Sequence, residues 1–348
     1  MKTRDPLENP LNRMLAQHND CPFSGLIDIR RGGAVVLSQA FGFANLPERI
    51  PNTLQTRFGM ASGSKTFTAV AICQLVERGV VSFDTRLLDC LHEPLPGFDP
   101  NITLHHLLTH SSGVPDYFDE EETSDYEAVW NEHPAYTFRE PADFLPLFKD
   151  LSMKFKPGMR FSYSNSGFIL LGLAIEHLTG KPFIRVIEDE IFKPAGMTRS
   201  GYFCQDQIPE GTALGYIPQG EGGWRSNIYS IPIVGGGDGG AFTTGDDLAK
   251  FWETLIGCKL IKKETLEKML NPYLRTNPKS SRIFYGYGIW IGIKKRKPEV
   301  YYMVGEDPGV AFYSGNFPEK KLLFTLLGNT SEAAFLMLER LLPIVRTV

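Results

Sequence analysis

The sequence has few cysteines, and their positions exclude two common roles for this residue. The five cysteines are scattered through 348 residues, are odd in number and never form a CxxC pair. A disulfide framework and a structural zinc site both need paired or closely spaced cysteines. We therefore expect neither, and we expect Cys73, which lies in an apolar stretch with helical spacing, to be a buried core residue.

Long apolar runs and an excess of positive charge are also missing. No window reaches 18 continuous apolar residues, and residues 1–6 lack the apolar core of a secretory signal peptide. A membrane-spanning helix is therefore not expected, and the cytoplasm is the expected location unless a leader has been removed. The net charge of −4 gives no overall field that would attract nucleic acid. The one basic cluster, residues 294–297, is predicted to be a solvated hairpin tip.

Strand patterns lie at the two ends of the chain, and helical patterns lie between them. The candidate strands are residues 25–30, 34–38, 284–293, 300–304, 310–314 and 322–327. Tight turns join them, which favours antiparallel pairing. The pattern predicts an α+β fold in which residues 1–83 and 226–348 build a sheet subdomain and residues 84–225 form a mainly helical subdomain.

A serine and a lysine lie three residues apart where an irregular segment enters an apolar helix. Residues i and i+3 share a helix face, so Lys65 can lie over Ser62 and act on its proton. The helix over residues 66–76 is apolar, which predicts a partly desolvated lysine with a lowered pKa. The alternative is a serine cap beside a solvated lysine.

A second polar segment, FSYSNSG at residues 161–167, precedes another apolar helix. Tyr163 and Asn165 alternate along it, so both point to one side if the segment is extended. A phenol beside an ammonium group can shuttle protons, and an amide can orient a substrate carbonyl or the lysine. The alternative is a polar helix cap formed by Asn165 or Ser166.

Three further segments need no chemistry of their own. The turn VGEDPGV at residues 304–310 has ordinary Asp-Pro-Gly turn composition. His106 and His110 have an i, i+4 spacing that could suit a metal, but helix capping and loop hydrogen bonds are favoured for them. The glycine-rich run at residues 235–240 lacks a phosphate-binding signature and is expected to let backbone pass close to a site.

Taken together, these segments resemble the serine β-lactamase-like superfamily, and most closely its class C β-lactamase, esterase and DD-peptidase branch. The resemblance covers residues 20–345. It is carried by FGMASGSKTFTA (58–69), TLHHLLTHSSG (103–113), PGMRFSYSN (157–165), IFKPAGM (191–197) and GGAFTTGDDL (239–248). It implies an antiparallel sheet flanked by helices, an added helical domain and an active site in the cleft between them.

The resemblance also implies roles for individual residues. Ser62 would be the nucleophile that becomes acylated, Lys65 its proton partner and Tyr163 the base and proton shuttle. Asn165 would orient the lysine and the substrate amide. The oxyanion hole would use two backbone N–H groups, that of Ser62 and a second one. The second is assigned to Gly309, because Pro308 before it has no N–H.

One motif departs from the family pattern. Where the family has Lys-Thr-Gly or His-x-Gly, the aligned residues here are Glu306, Asp307 and Pro308. An acid there would repel an anionic ligand and attract a cationic one. Three interpretations stay open: Glu306 selects a neutral ester or cationic amine, it pairs with an arginine, or the protein has become a weak hydrolase or a pure binder.

The sequence thus predicts a serine hydrolase without a cofactor or metal. Its partner would be a small ester, amide or peptide substrate, which it would process in an esterase-, peptidase- or weak β-lactamase-like reaction. The alternative is a catalytically weak or inactive ligand sensor of the penicillin-binding type.

Overall fold

The computed structural model describes residues 5–17, 23–277, 279 and 282–347. The helices are α1 (Glu8–Gln17), α2 (Lys65–Glu77), α3 (Leu104–Leu108), α4 (Ala128–Glu132), α5 (Asn165–Thr179), α6 (Phe183–Ile187), α7 (Lys193–Ala195), α8 (Gly245–Ile256), α9 (Lys263–Met269) and α10 (Ser331–Thr347). The strands are β1 (Gly25–Arg31), β2 (Ala34–Phe41), β3 (Phe43–Asn45), β4 (Ile50–Pro51), β5 (Phe58–Gly59), β6 (Tyr216–Gln219), β7 (Gly223–Ser226), β8 (Phe242–Thr243), β9 (Leu274–Arg275), β10 (Ile283–Tyr285), β11 (Trp290–Lys294), β12 (Lys297–Asp307), β13 (Val310–Phe317) and β14 (Leu322–Gly328).

One eight-stranded antiparallel sheet joins the two ends of the chain. Its order is β2-β1-β14-β13-β12-β11-β10-β9, so the N-terminal hairpin pairs with the last strand. This confirms the predicted fold class. The basic residues 294–297 form the β11–β12 turn, as expected, and both central residues of this turn, Lys295 and Arg296, have positive φ.

The β12–β13 hairpin leaves part of β12 open on its other side. Asp307 pairs with Val310 across the two-residue turn Pro308-Gly309, whereas pairing of β12 with β11 extends only to Tyr302. Backbone groups alternate in direction along an antiparallel strand. Because the pair that closes a two-residue turn is hydrogen-bonded, the Glu306 N–H points away from β13 toward the open edge.

Helices α2 and α5 form the centre of the helical layer. From Lys65 to Leu75 every residue of α2 is buried, and α5 is buried from Asn165 to Ile175. One hydrophobic cluster includes residues from both helices, from the 84–225 segment and from the sheet. The large sheet lies outside residues 84–225, and the division into two subdomains stays a prediction.

The opposite face of the sheet is covered by the two terminal helices. A second cluster joins Leu11 of α1 and Leu341 of α10 to Ile27 and Phe324 of the sheet. Cys73 is buried, as predicted, and Cys21 lies outside the described residues. Among described helices, no single one is long and apolar enough to cross a bilayer, although the bent pair Asn165–Thr179 and Phe183–Ala195 passes by length and composition alone.

A buried polar chain ties α8 to the sheet and generates a stability prediction. The Trp252 indole N–H donates to Ser314 Oγ at 2.9 Å, and Ser314 lies 2.8 Å from Thr325 Oγ1. Because Ser314→Ala leaves the buried indole without its acceptor, we expect the free energy of unfolding to fall by about 1–3 kcal/mol. Chemical denaturation measures this.

The control for this prediction is a double-mutant cycle with Trp252→Phe. Since both changes remove the same hydrogen bond, their effects should be non-additive by at least about 0.5 kcal/mol. A Ser314→Ala protein as stable as the wild type would contradict the assignment.

Candidate active site

The candidate nucleophile lies on a strained turn that leads directly into α2. Residues Ala61–Ser64 form a single 3₁₀ turn, and Ala61 has a φ of 44°. A left-handed alanine costs about 1 kcal/mol or more, so its surroundings must hold it. The Ala61 carbonyl accepts bonds from Ser64 Oγ at 2.9 Å and from the Gly240 N–H at 3.2 Å. Ser62 is partly accessible and lies at the N-terminal end of α2, where the helix dipole favours negative charge.

The Lys65 side chain is buried, with 1% of its surface exposed, and makes three polar contacts. Its Nζ lies 2.9 Å from Ser62 Oγ, 2.7 Å from Asn165 Oδ1 and 2.6 Å from the Asp238 carbonyl oxygen. A neutral amine has two N–H donors and one lone pair. The two carbonyl-type acceptors can take both donors, which turns the lone pair toward the Ser62 hydroxyl.

The surroundings of Lys65 act on its charge in opposite directions. Burial lowers the pKa of the Lys65 ammonium, and nearby carboxyl groups, led by Asp238, oppose that shift. The net pKa is below the ordinary lysine value. A lowered pKa enlarges the fraction of neutral amine that is available as a base at neutral pH.

Tyr163 lies beside both groups. Its ring centroid is 4.9 Å from Lys65 Nζ, and its ring stacks on Trp290 at 6.0 Å. Burial raises the pKa of the phenol well above its usual range, and a hydrogen bond with Ser62 opposes the shift. The phenol is therefore protonated at neutral pH, so in the free protein it is a proton donor.

Helix α5 begins at Asn165, and Ser164 caps it by accepting the Gly167 N–H at 3.0 Å. The expectation that Asn165 or Ser166 would be the cap is therefore wrong by one or two positions. The Asp116 carboxylate accepts the N–H groups of Asn165 at 2.7 Å and Ser166 at 3.0 Å. This anion at a helix N-terminus fixes the asparagine that contacts Lys65. The sequence reasoning missed Asp116, since no local motif marks it.

The histidines of residues 103–113 have structural partners. His106 Nδ1 accepts the Thr103 N–H at 3.1 Å in a capping box. His110 is buried, and its Nδ1 accepts the Ser164 N–H at 3.1 Å. Burial, aided by the Lys65 charge, lowers the pKa of His110 well below its usual value. A neutral His110 thus holds residues 163–165 in place through its hydrogen bond with the Ser164 N–H. This agrees with the expected role of the histidine in loop hydrogen bonding.

The glycine-rich run passes against the nucleophile turn, as expected. A Cβ built on Gly239 would lie 3.2 Å from the Ala61 oxygen. This close approach brings the Asp238 carbonyl to Lys65, while the Asp238 carboxylate accepts the Tyr117 hydroxyl at 2.6 Å. The sequence drew attention to these glycines but not to the aspartate between them.

The β12 segment approaches the nucleophile turn through Gly305. A Cβ at this position would lie 2.2 Å from the Met60 oxygen and 2.8 Å from the Ser62 nitrogen. Gly309 instead lies at the hairpin turn, where its Cβ would meet Gly215 and Tyr216. The sequence interpretation had therefore placed the motif too far along the chain, since Gly305 is the glycine beside Ser62.

These elements enclose a cleft of about 680 Å³ that contains Ser62, Tyr163 and Asn165. The lining carboxyl groups are those of Glu120, Asp125, Glu127, Asp238, Glu306 and Asp307. In the described part of the chain, no lysine or arginine lines it. The cleft is therefore acidic around a nucleophile, and its aromatic walls include Trp290 and Tyr126.

The fold and this constellation agree with the comparisons to known proteins. A family model described as Beta-lactamase matches residues 12–342. The chain belongs to the beta-lactamase family. Its fold is the β-lactamase/transpeptidase-like one, and its homologues are serine hydrolases of the penicillin-binding and D-aminopeptidase type.

Three relatives illustrate this membership. Penicillin-binding protein 4* of Bacillus subtilis (strain 168) is 30% identical over 84% of this chain and 64% of its own length. The D-aminopeptidase of Gluconobacter oxydans (strain 621H) is 31% identical over 67% of this chain and 42% of its own length. The crystal structure of a penicillin binding protein from Bacillus halodurans has a TM-score of 0.90 and 44% identity, covering 96% of this chain and all of that one. The chain thus spans less than two thirds of the length of these two curated relatives.

The electrostatics of the cleft predict a pH effect on stability. Burial raises the pKa of Asp307 to about 8, with neighbouring carboxyl groups adding to the shift. An acid whose pKa is raised by folding binds more protons when folded, so stability falls as pH rises from about 4 to 8. Asp307→Asn removes this component. Between pH 5 and pH 9 we expect the stability of the variant relative to the wild type to rise by at least about 1 kcal/mol.

Denaturation curves at pH 5, 7 and 9 measure this effect, with Glu264→Gln on the exposed face of α9 as the control. The control should keep the wild-type pH dependence. If Asp307→Asn left the pH dependence of stability unchanged, folding would not raise the pKa of this carboxyl group, and the prediction would be wrong.

Proposed function

We propose that the protein is a serine hydrolase of the class C-like type that forms an acyl-enzyme on Ser62 and acts on a small ester or amide. The observation that carries this proposal is the buried Lys65 amine, 2.9 Å from Ser62 Oγ. A serine hydroxyl needs a base at hydrogen-bonding distance to become a nucleophile. The two other acceptors of Lys65 hold the amine in the orientation that this step needs.

In the acylation step, neutral Lys65 takes the Ser62 proton while Oγ bonds to the substrate carbonyl carbon. The carbonyl oxygen becomes an oxyanion. Collapse of this intermediate breaks the bond to the leaving group, which takes the phenolic proton of Tyr163. The phenolate is then reprotonated by the Lys65 ammonium, so both side chains return to their neutral forms. Deacylation repeats the sequence with water as the nucleophile.

For the oxyanion hole we propose the N–H groups of Ser62 and Glu306, in place of the earlier assignment to Gly309. Gly305 brings β12 against the Ser62 backbone, and the next N–H along the strand points to the open edge. Two backbone donors that are fixed before reaction stabilise a developing oxyanion without reorganisation. Glu306 thus contributes a backbone N–H, and its side chain leaves the sheet on the face opposite to Gly305.

The substrate range follows from the charge of the cleft. Carboxylate-bearing substrates, such as penicillins, would meet several carboxyl groups and no lining cation. Neutral esters and amides avoid this repulsion. The D-aminopeptidase relative supports an amide substrate. We therefore favour esterase- or peptidase-like hydrolysis over β-lactam turnover.

The second candidate function is a ligand sensor that has lost most of its turnover. With Gly305 as the glycine of the third motif, Met303 stands where the family carries Lys or His, and the missing cation favours this function. Saturable ligand binding without product or adduct would identify this function.

The first test is covalent labelling. Incubation with a fluorophosphonate should add one phosphonyl mass to the wild-type protein, because this probe captures an activated serine. Intact mass spectrometry measures the adduct, and Ser62→Ala should carry none. Ser124→Ala removes another hydroxyl that lines the cleft and is the matched control, which should still be labelled. An equal adduct on Ser62→Ala would refute the proposal.

The second test addresses the base. Lys65→Arg should lower the acylation rate by about 100-fold or more, because a guanidinium group does not deprotonate. Stopped-flow kinetics with a p-nitrophenyl ester measures the rate, and thermal unfolding checks that the variant is folded. Lys263→Arg on the exposed face of α9 is the control. Retained acylation in a folded Lys65→Arg protein would assign the base role to Tyr163 instead.

A further inference from the structure

We propose that Asp307 binds a primary ammonium group in the acyl part of the substrate, so that the preferred substrates are aminoacyl amides and esters. This inference rests on the proposed function of Ser62. It names the residue that selects the substrate and the charge that is selected.

Asp307 lies on the face of β12 that is turned toward the nucleophile. Side chains alternate between the two faces of a strand, so Asp307 shares the face of Gly305. That face lies against the Ser62 turn, as the close approach of Gly305 to Met60 and Ser62 shows. Asp307 also lines the cleft that contains Ser62 and follows the proposed oxyanion donor by one residue. A group bound by Asp307 therefore belongs to the substrate that occupies this cleft.

Asp307 lacks a partner. Within the residues that the structure describes, its carboxyl group makes no hydrogen bond or ion pair. The nearby Lys65 amine already makes three other polar contacts. Asp238 and Glu120, which also line the cleft, add negative charge near Asp307 and do not neutralise it. In such surroundings the half-buried carboxyl group is mostly protonated at neutral pH, and an incoming cation would favour its ionised form, so that its proton is released to solvent on binding.

Other carboxyl groups of the same cleft differ from Asp307 in having a partner or in being exposed to water. Glu127 pairs with Arg225, and the Asp238 carboxylate accepts the Tyr117 hydroxyl. Glu306 is exposed to water and points to the opposite face of β12 from Asp307. Among the described lining residues, Glu120 also makes no hydrogen bond or ion pair, but it is exposed to water, whereas Asp307 is half-buried on the strand face turned toward the nucleophile.

An ammonium group fits this site better than the alternatives. A carboxylate would be repelled by the cleft, and a neutral acyl group would leave the carboxyl group unpaired. An ammonium ion forms charge-assisted hydrogen bonds with a carboxylate, and the bond strengthens where water is excluded. The cleft volume of about 680 Å³ leaves room for an aminoacyl group and its leaving amine.

The test compares three matched p-nitroanilides: phenylalanyl with a free amine, its N-acetyl derivative and the 3-phenylpropionyl analogue that lacks the amine. Both enantiomers of the first two are used. The wild-type kcat/KM for the better free-amine enantiomer should exceed that for the 3-phenylpropionyl analogue by at least about tenfold. Asp307→Asn should remove this preference by raising KM for the free-amine substrate, so that its kcat/KM falls toward that of the 3-phenylpropionyl analogue.

The matched control is Glu120→Gln, which changes another carboxyl group of the same cleft and should keep the preference. A wild-type enzyme that hydrolyses all three substrates equally would overturn the inference. So would a preference that survives in Asp307→Asn.

Binding separates this inference from the proposed function. Calorimetry on Ser62→Ala compares phenylalaninamide with 3-phenylpropionamide, and we expect at least about tenfold tighter binding of the amine-bearing ligand. Equal affinities would overturn the ammonium site even if fluorophosphonate labels Ser62. An ammonium preference without any labelling of Ser62 would instead overturn the hydrolase mechanism and leave the ammonium site standing.

Discussion

The burial of one lysine amine is the constraint on which the rest of the site depends. The Lys65 side chain is only 1% exposed, and three polar groups from three parts of the chain converge on its Nζ. Asn165 is fixed by the N-terminus of α5, and Asp238 by a glycine-rich loop. Desolvation favours the neutral amine, while the acceptors fix its direction. The same burial that threatens stability thus creates a base beside Ser62.

The second constraint is the contact between the sheet and the nucleophile turn. Gly305 lets β12 lie so close to Ser62 that any side chain there would displace the turn. The strand in turn presents a free N–H and, on its inner face, Asp307. One close approach therefore aligns the nucleophile, the proposed oxyanion donor and the proposed specificity residue. The helical layer supplies the base, and the sheet supplies recognition.

Much of this arrangement could be predicted from the sequence, and the reason is local. Ser62 and Lys65 share one helical turn, so their contact needs only a helix at that position. The fold class followed from strands at the two chain ends and helices between them. Tyr163 and Asn165 lie on a short segment whose alternation places them together. The location in the cytoplasm and the two-subdomain division stay predictions.

The remaining features depend on long-range packing. The Asp116 contacts span 49 and 50 residues, and the Asp238 contact with Lys65 spans 173. No local sequence pattern predicts contacts between residues so far apart in the chain. The third motif was misplaced because Gly305 and Gly309 are equally plausible in a strand that enters a turn. Only the packing of β12 against the nucleophile turn shows which one lies beside Ser62.

The central claim is that chemistry passes through a covalent ester on Ser62. The most direct measurement is acid quenching during turnover of a p-nitrophenyl ester, followed by peptide mapping by mass spectrometry. The account predicts a transient acyl mass on the peptide that contains Ser62, with its decay matching the release of the acid. Turnover with the acyl group on another residue, or undiminished turnover by Ser62→Ala, would contradict it.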